Sequence, residues 1–214
     1  MLFDLDGTLV DTAPDLATAL NQLLAEQDKA PMAYQDIRQY VSRGAVGILS
    51  LVWKREKDED QFEMLRQRFL EIYADCNGQQ SVLFHGFAEI LDRLNANDIP
   101  WGIVTNKPGW LAEPLIKHLD LDQRIGCLVS GDTLEHHKPH PAPLLHAARL
   151  LNENPQDCIY VGDARRDMEA AESANMTGVA AAYGYITGDS NPGDWPAAAI
   201  IEKPAELIAL IGLK

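Results

Sequence analysis

Long apolar runs are missing from this 214-residue sequence. No stretch approaches the ~18–20 apolar residues that a membrane-spanning helix needs, which argues against a spanning protein. The sequence also lacks a basic N-terminal segment followed by a small-residue cleavage site, so no secretory signal is visible. We therefore expect a protein of the cytoplasm.

Positive charge is scarce. Lysine and arginine total 18 against 32 aspartates and glutamates, which gives a formal net charge of −14. A chain this acidic repels phosphate backbones and anionic lipid, so nucleic acid and membrane surfaces are poor candidates for partners. A small molecule is the partner that we expect.

Cysteine is also rare. Cys76, Cys127 and Cys158 are odd in number and widely spaced, so the sequence predicts reduced thiols, neither a disulfide framework nor a cysteine-based metal site. Hydrophobic residues make up 46% and charged residues 23%, as in an ordinary globular protein. The length fits one large domain, or a core with one insertion.

From His85 onward, short apolar runs alternate with amphipathic helical stretches. Such alternation predicts an α/β fold, a doubly wound (Rossmann-like) parallel sheet with helices on both faces. The runs are continuously apolar, as expected for a sheet that is buried on both sides. The predicted strands are 1–3, 101–105, 127–130, 159–161 and 178–181, and the predicted helices between them are 111–119, 142–151 and 167–174.

The first predicted strand is followed by a turn and then by a helix. Thr12 can cap this helix, Pro14 suits its first turn, and Asp15 complements its positive end. The strand at 1–3 is short for a central strand, so we expect the natural start of the chain to lie upstream of Met1.

The segment up to about Leu83 shows helical patterns and no convincing strand. For example, residues 58–75 place large apolar side chains at helical spacing. We therefore expect a helical insertion in the α/β core. The predicted boundaries are 1–12 and 84–214 for the core domain and 13–83 for the helical cap domain.

Charged and polar residues follow the predicted strands. In open parallel sheets, ligands bind outside the carboxyl ends of the strands. These residues should therefore share one edge of the sheet, which then carries four acids, a hydroxyl and a lysine. They are Asp4 and Asp6 after the first strand, Thr105 and Asn106 after the second, Lys138 some residues after the third, and Asp163 and Asp167 after the fourth.

Each of these motifs has an ordinary structural interpretation on its own. An Asp-Gly-Thr segment is commonly a turn, a Lys-Pro pair is commonly a solvated loop, and two aspartates four residues apart can begin an exposed helix. What favours an active site is their joint occurrence. Asp-x-Asp-Gly-Thr comes directly after an N-terminal strand, and every other motif follows a strand in order.

The motif set resembles that of the haloacid dehalogenase superfamily. The matching segments are Asp4–Thr8, Thr105–Asn106, Lys138–Pro139 and Gly162–Asp167, and the insertion is similar to the helical type 1 cap of that superfamily. The resemblance covers essentially the whole chain. Within the superfamily the sequence resembles the phosphoglycolate phosphatase group. Residues 100–108, 162–167 and 183–186 are still more similar to N-acetylmuramic acid 6-phosphate phosphatases.

The resemblance implies a phosphoric monoester hydrolase that acts through an aspartyl-phosphate. Asp4 would attack phosphorus, and Asp6 would protonate the leaving oxygen and later activate water. A dianionic substrate among four carboxylates calls for a divalent cation, and hard oxygen ligands without a histidine or cysteine set favour Mg²⁺. The implied ligands are the Asp4 carboxylate, the Asp6 backbone carbonyl and Asp163, with Asp167 acting indirectly or through water.

The remaining motif residues are implied to contact the phosphoryl group. Lys138 would bridge Asp4 and the phosphoryl oxygens, while the Thr105 hydroxyl and the Asn106 amide would donate to the same oxygens. The resemblance also places Gly7 and Thr8 of the first motif in the substrate-binding set.

The part of the substrate beyond the phosphate should meet the cap or the core loops. Arg43 is a candidate partner for a substrate carboxylate, and Arg166 is a second candidate. The alternative is that both arginines are solvated surface residues. Tyr183 and Tyr185 follow the fifth strand and either wall the site or simply pack there.

Several functions stay open at this point. The favoured hypothesis is a Mg²⁺-dependent phosphatase that acts on N-acetylmuramic acid 6-phosphate, a substrate of cell-wall recycling. The main alternative is the same chemistry on 2-phosphoglycolate, a substrate of metabolite repair. A phosphomutase also uses two such aspartates, but it needs a bisphosphate activator. A silent relative would bind a phosphorylated metabolite, yet it would have no need of the nucleophile. The sequence does not indicate the oligomeric state.

Overall fold

The computed structural model describes residues 1–188 and 190–212. Its strands are β1 (Leu2–Phe3), β2 (Val10–Asp11), β3 (Val82–Leu83), β4 (Gly102–Val104), β5 (Cys127–Val129), β6 (Ile159–Gly162), β7 (Thr177–Ala181) and β8 (Ala199–Ile201). Its α-helices are α1 (Ala13–Glu26), α2 (Tyr34–Arg38), α3 (Gly44–Leu49), α4 (Glu59–Cys76), α5 (Phe87–Ala96), α6 (Gly109–His118), α7 (Ala142–Leu150), α8 (Arg165–Ser173) and α9 (Glu206–Leu210).

The core is a six-stranded parallel sheet in the order β5-β4-β1-β6-β7-β8. This confirms the predicted α/β class. β1 is only two residues long, but it lies in the middle of the sheet, where Leu2 pairs with Gly102 on one side and with Tyr160 on the other. The loops that carry the predicted site residues therefore leave neighbouring strands at one edge of the sheet.

The predicted strands and helices of the core are all present, and some short elements were missed. The sequence analysis did not find the antiparallel pair β2–β3, the edge strand β8 or the final helix α9. Elements of two to five residues are too short to show a periodic pattern, which explains the omission. All three cysteines are buried free thiols, and none of the described helices has the length and apolarity that spanning a membrane requires.

Helices α1 to α4 lie between β2 and β3 and share a hydrophobic cluster, to which the core adds Leu111 and Tyr185. Buried residues of α1, such as Leu20 and Leu23, pack with Phe69 and Ile72 of α4. We propose, as the sequence predicts, that residues 13–83 form the cap domain. The hydrophobic cluster that these helices share is separate from the cluster beneath the sheet, which supports that division.

The prediction that the Thr12 side chain caps α1 is wrong. Thr12 does occupy the N-cap of α1, but its hydroxyl makes no capping hydrogen bond. It donates instead to Asp6 Oδ1 at 2.6 Å. The reason is proximity: β2 brings the start of α1 back beside the loop that follows β1, where a carboxylate is available.

Asp15 joins the beginning of the cap to its end. It is fully buried in the first turn of α1 and accepts hydrogen bonds from the backbone of Gly78, Gln80 and Ser81 and from the Ser81 hydroxyl, at 2.6–3.0 Å. These residues belong to the segment that leads from α4 back to the core. One carboxylate therefore fixes both crossings between the core and the cap.

Asp15→Asn is expected to lower the free energy of unfolding by about 2–4 kcal/mol, because the new amide group would face backbone donors that need an acceptor. Urea denaturation measures this change. Asp36→Asn is the matched control, since Asp36 is an exposed aspartate in the first turn of α2. An unfolding free energy within 0.5 kcal/mol of the unmodified protein, about the usual range for a surface change, would contradict the assigned role of Asp15.

Candidate active site

Lys138 is the centre of the site. Its Nζ lies 2.9 Å from Asp4 Oδ1 and 2.8 Å from Asp167 Oδ1. It also donates to the Val104 carbonyl at 3.0 Å and the Tyr160 hydroxyl at 2.6 Å. The side chain has no solvent exposure. A buried ammonium with this many acceptors is held in one position, and it links the loop after β1 and the end of β4 to the start of α8.

Asp4 stands directly after β1 and is 3% exposed. Its backbone N–H donates to Val161, which extends the sheet by one residue, and its Oδ1 accepts from Leu5 N at 2.7 Å. Burial raises the pKa of Asp4, the Asp167 carboxylate raises it further, and Lys138 acts in the opposite direction.

Asp163 follows β6 and is also buried. Its Oδ2 accepts from the Ser42 hydroxyl at 2.5 Å and from Tyr185 N at 2.8 Å. Burial, together with the Asp4 and Asp167 carboxylates, raises the pKa of Asp163 to about 7. Its Oδ1 is buried and has no hydrogen-bond partner among the described residues.

These carboxylates fit a divalent cation. Asp4, Asp163 and Asp167 each offer an oxygen, and the three atoms lie within 4.8 Å of one another. A cation would give Asp163 Oδ1 the partner that it lacks, and it would offset both the burial of this carboxylate and its repulsion by Asp4 and Asp167, which together raise its pKa. Both oxygens of Asp167 already have partners, since Oδ1 pairs with Lys138 and Oδ2 accepts from Ala164 N at 3.0 Å. This favours an indirect role for Asp167.

The Asp6 carboxyl lies apart from that cluster. Its Oδ1 accepts from Thr12 Oγ1 and pairs with Lys107 Nζ at 2.9 Å. Lys107 in turn donates to the Tyr73 hydroxyl of α4 at 2.7 Å. Sequence reasoning missed Lys107, although it stands next to Asn106 in the loop after β4. Its position in the same loop as Thr105 and Asn106 was the available signal that it belongs to the site.

The Asn106 amide makes two contacts that the sequence did not predict. Its Nδ2 donates to the Lys138 carbonyl at 3.0 Å and its Oδ1 accepts from Lys138 N at 3.1 Å, so the amide clamps the backbone of the lysine. Asn106 also lines the cavity, and its predicted contact with the phosphoryl oxygens stays a prediction. Thr105 is buried, contacts the cavity, and accepts from Lys107 N at 3.1 Å.

Gly7 and Thr8 shape the first loop and do not line the cavity. Gly7 has φ +84°, and a Cβ there would collide with the Asp163 carboxylate. A Cβ at Gly184 would strike the same carboxylate. The Thr8 side chain is fully buried, with no hydrogen-bond partner for its hydroxyl among the described residues. Gly7 therefore packs directly against Asp163, and the predicted place of both residues in the substrate-binding set stays a prediction.

A cavity of about 560 Å³ opens above the site between the core loops and helices α1 and α4. Arg43 and Arg166, both predicted from sequence, line it, as does Arg66 of α4, which was missed. Arg43 Nη2 donates to Thr187 Oγ1 at 3.1 Å, and Arg166 Nε is enclosed without a hydrogen-bond partner among the described residues. Apolar walls come from Leu16, Val41, Phe69, Leu70 and Leu111.

Tyr185 fastens the loop after β7 to the first crossing into the cap. Its hydroxyl accepts from Thr12 N at 2.7 Å and Ala13 N at 2.9 Å and donates to Asp11 Oδ1 at 2.7 Å. The Arg38 guanidinium lies 4.9 Å from the centre of its ring. Of the two interpretations left open for this tyrosine, the structure supports packing.

Residues 1–181 match the family model described as haloacid dehalogenase-like hydrolase. The chain belongs to this family. Among its relatives is a phosphoglycolate phosphatase of Xanthomonas campestris pv. campestris strain 8004. The two are 41% identical over 207 residues, which cover 97% of this chain and 93% of the relative.

A second relative is the N-acetylmuramic acid 6-phosphate phosphatase of Pseudomonas putida strain KT2440. It is 38% identical over 211 residues, covering 99% of this chain and 95% of the relative. The fold is similar to the crystal structure of a predicted phosphoglycolate phosphatase from Haemophilus somnus 129pt. The TM-score is 0.86 and the identity 26%, with 98% of this chain and 96% of that chain covered. This haloacid dehalogenase-like hydrolase is therefore similar over nearly its whole length to relatives that carry the names of phosphatases.

Proposed function

We propose that this hydrolase cleaves phosphomonoesters with Asp4 as the nucleophile and Mg²⁺ as the cofactor. One observation carries the proposal: Asp4 is buried at the end of the central strand, fixed by Lys138, and placed within 4.8 Å of the Asp163 and Asp167 carboxylates. Such a nucleophile is protected from water, and a cation between the carboxylates would hold the phosphoryl group for attack.

Each residue of the site has its own role in the proposed reaction. Asp4 Oδ1 is occupied by Lys138 and Leu5 N, so Oδ2 is the atom proposed to attack phosphorus. Asp6 gives a proton to the leaving oxygen as the P–O bond breaks, and it later takes a proton from the water that hydrolyses the aspartyl-phosphate. Lys138, paired with Asp4 and Asp167, offsets the negative charge that accumulates on the phosphoryl group. Bound Mg²⁺ would neutralise phosphoryl oxygens and would be held by Asp4, the Asp6 carbonyl and Asp163.

For the substrate we favour N-acetylmuramic acid 6-phosphate. A cavity of about 560 Å³ falls in the range of sites that enclose drug-sized molecules, and it is several times the size of a two-carbon acid phosphate. Arg43 and Arg66 line it and supply cations for the lactyl carboxylate, while the apolar walls suit the face of a sugar ring. The P. putida relative carries the name of this activity.

The second candidate substrate is 2-phosphoglycolate. The relative that is 41% identical carries the name of that activity, and phosphoglycolate also presents a carboxylate to the same arginines. Both candidates make the partner a small phosphorylated metabolite. A phosphomutase would differ from both, because it would turn over only with a bisphosphate activator.

Comparison of three substrates in the presence of Mg²⁺ decides between these candidates. We expect kcat/KM to be at least 100-fold higher for N-acetylmuramic acid 6-phosphate than for 2-phosphoglycolate or glucose 6-phosphate, about 2.7 kcal/mol of differential transition-state binding. No activator should be needed. A preference for 2-phosphoglycolate would reverse the assignment, and absence of turnover on all three would contradict the phosphatase itself.

A further inference from the structure

Lys107 joins the proposed proton donor to the helical insertion. Its Nζ lies 2.9 Å from Asp6 Oδ1 and donates to the Tyr73 hydroxyl at 2.7 Å. Asp6 belongs to the loop after β1, Lys107 to the loop after β4, and Tyr73 to α4. Three distant segments of the sequence therefore meet at one ammonium group.

This ammonium group is sheltered from water. The Lys107 side chain is 6% exposed, and its Nζ also lies 4.4 Å from the centre of the Tyr73 ring. A charge pair with little solvent around it is stronger and better fixed in direction than a surface pair. The face of the tyrosine ring adds a further attraction for the cation.

Both hydrogen bonds to the Asp6 carboxyl engage Oδ1. One comes from Thr12 Oγ1 at 2.6 Å and the other from Lys107 Nζ. Together they fix the rotation of the carboxyl group without using Oδ2. A general acid must lie within hydrogen-bond distance of the atom that it protonates, so a small rotation of Asp6 would slow the transfer.

We propose that Lys107 is a positioning residue for Asp6: held by Tyr73 of the insertion, it turns the Asp6 carboxyl toward the leaving-group oxygen. Asp6 then has its working orientation only while α4 lies against the core. The inference rests on the proposed phosphatase function. The proton that moves is the one between Asp6 and the leaving oxygen.

Lys107 also lines the cavity, so binding of the phosphoryl group is the alternative role. The dependence of the rate on the leaving group distinguishes the two roles. The probes are p-nitrophenyl, phenyl and benzyl phosphate. Their size is similar, but p-nitrophenolate leaves without a proton whereas benzyl alkoxide needs one. The measured quantity is kcat/KM, which reports the steps up to departure of the leaving group.

For Lys107→Met we expect kcat/KM on benzyl phosphate to fall about 100-fold, the contribution typical of a general acid, and on p-nitrophenyl phosphate to change less than about threefold. Lys107→Arg should restore most of the loss because it restores the cation. Tyr73→Phe removes only the hydroxyl and should lower the benzyl value about three- to tenfold. Lys117→Met, at an exposed lysine of α6, is the matched control.

Two results would overturn the positioning role. Equal losses on all three esters would assign Lys107 to phosphoryl binding or to folding, and an unchanged benzyl value would remove it from the reaction. Thermal unfolding of each variant identifies a loss that comes from misfolding. If the unmodified enzyme cleaves neither these esters nor N-acetylmuramic acid 6-phosphate and 2-phosphoglycolate, the proposed function fails, and the inference fails with it.

Discussion

Asp4→Asn is expected to reduce phosphatase kcat below about 1% of the unmodified value, a loss of at least about 2.7 kcal/mol in transition-state stabilisation. An amide oxygen is a poor nucleophile, and the variant would not form the acyl-phosphate on which both half-reactions depend. The measurement is steady-state hydrolysis of p-nitrophenyl phosphate in saturating Mg²⁺. Retention of more than about 1% of kcat would place the nucleophile elsewhere.

The same substitution should leave the fold intact. Burial raises the pKa of Asp4, which means that keeping this carboxylate charged costs the folded protein free energy. A neutral amide of equal size does not carry that cost. Lys138 keeps Asp167 as a charged partner at 2.8 Å. Asp122→Asn, at an exposed aspartate, is the control and should match the unmodified enzyme in both activity and thermal unfolding.

Removal of divalent cations is the second large effect. After EDTA treatment and exchange into metal-free buffer, activity should fall at least 100-fold, about 2.7 kcal/mol, and Mg²⁺ should restore it. The physical reason is repulsion: the substrate dianion would otherwise approach Asp4 beside the Asp163 and Asp167 carboxylates. Full activity in a preparation that elemental analysis shows to be free of metal would contradict the proposed cofactor.

A companion measurement keeps metal binding apart from catalysis. Titration calorimetry with Mg²⁺ in the absence of substrate should show binding to the unmodified chain, and Asp163→Asn should weaken it at least about tenfold through loss of one carboxylate ligand. Asp122→Asn again serves as the control. Equal affinity in the Asp163 variant would remove this residue from the cation site.

The sequence was most informative where the topology fixes proximity. Asp4, Lys138 and the pair Asp163 and Asp167 follow three different strands. A parallel sheet places the carboxyl ends of its strands together, and the structure brings the four residues into one cluster. The insertion was equally readable, because an 18-residue helix such as α4 carries a strong apolar period.

What the sequence did not reveal depends on contacts between distant segments. Thr12 looked like a helix cap and instead donates to Asp6, and the hydrogen bonds between the Asn106 amide and the backbone of Lys138 were not foreseen. Lys107 acquires its meaning only when α4 brings Tyr73 to it. Local pattern predicts which elements form, but a polar side chain chooses among all the partners that the fold places within reach.

Direct detection of the covalent intermediate is the sharpest test of the central claim. The reaction of p-nitrophenyl phosphate with Mg²⁺ enzyme is quenched and reduced with borohydride, which converts an aspartyl-phosphate into homoserine, and the peptides are then examined by mass spectrometry. Asp6→Asn, which should slow hydrolysis of the intermediate, provides a second sample with greater accumulation. The account predicts homoserine at position 4 and at no other aspartate. Turnover without reduction at position 4, or with reduction at another aspartate, would contradict it.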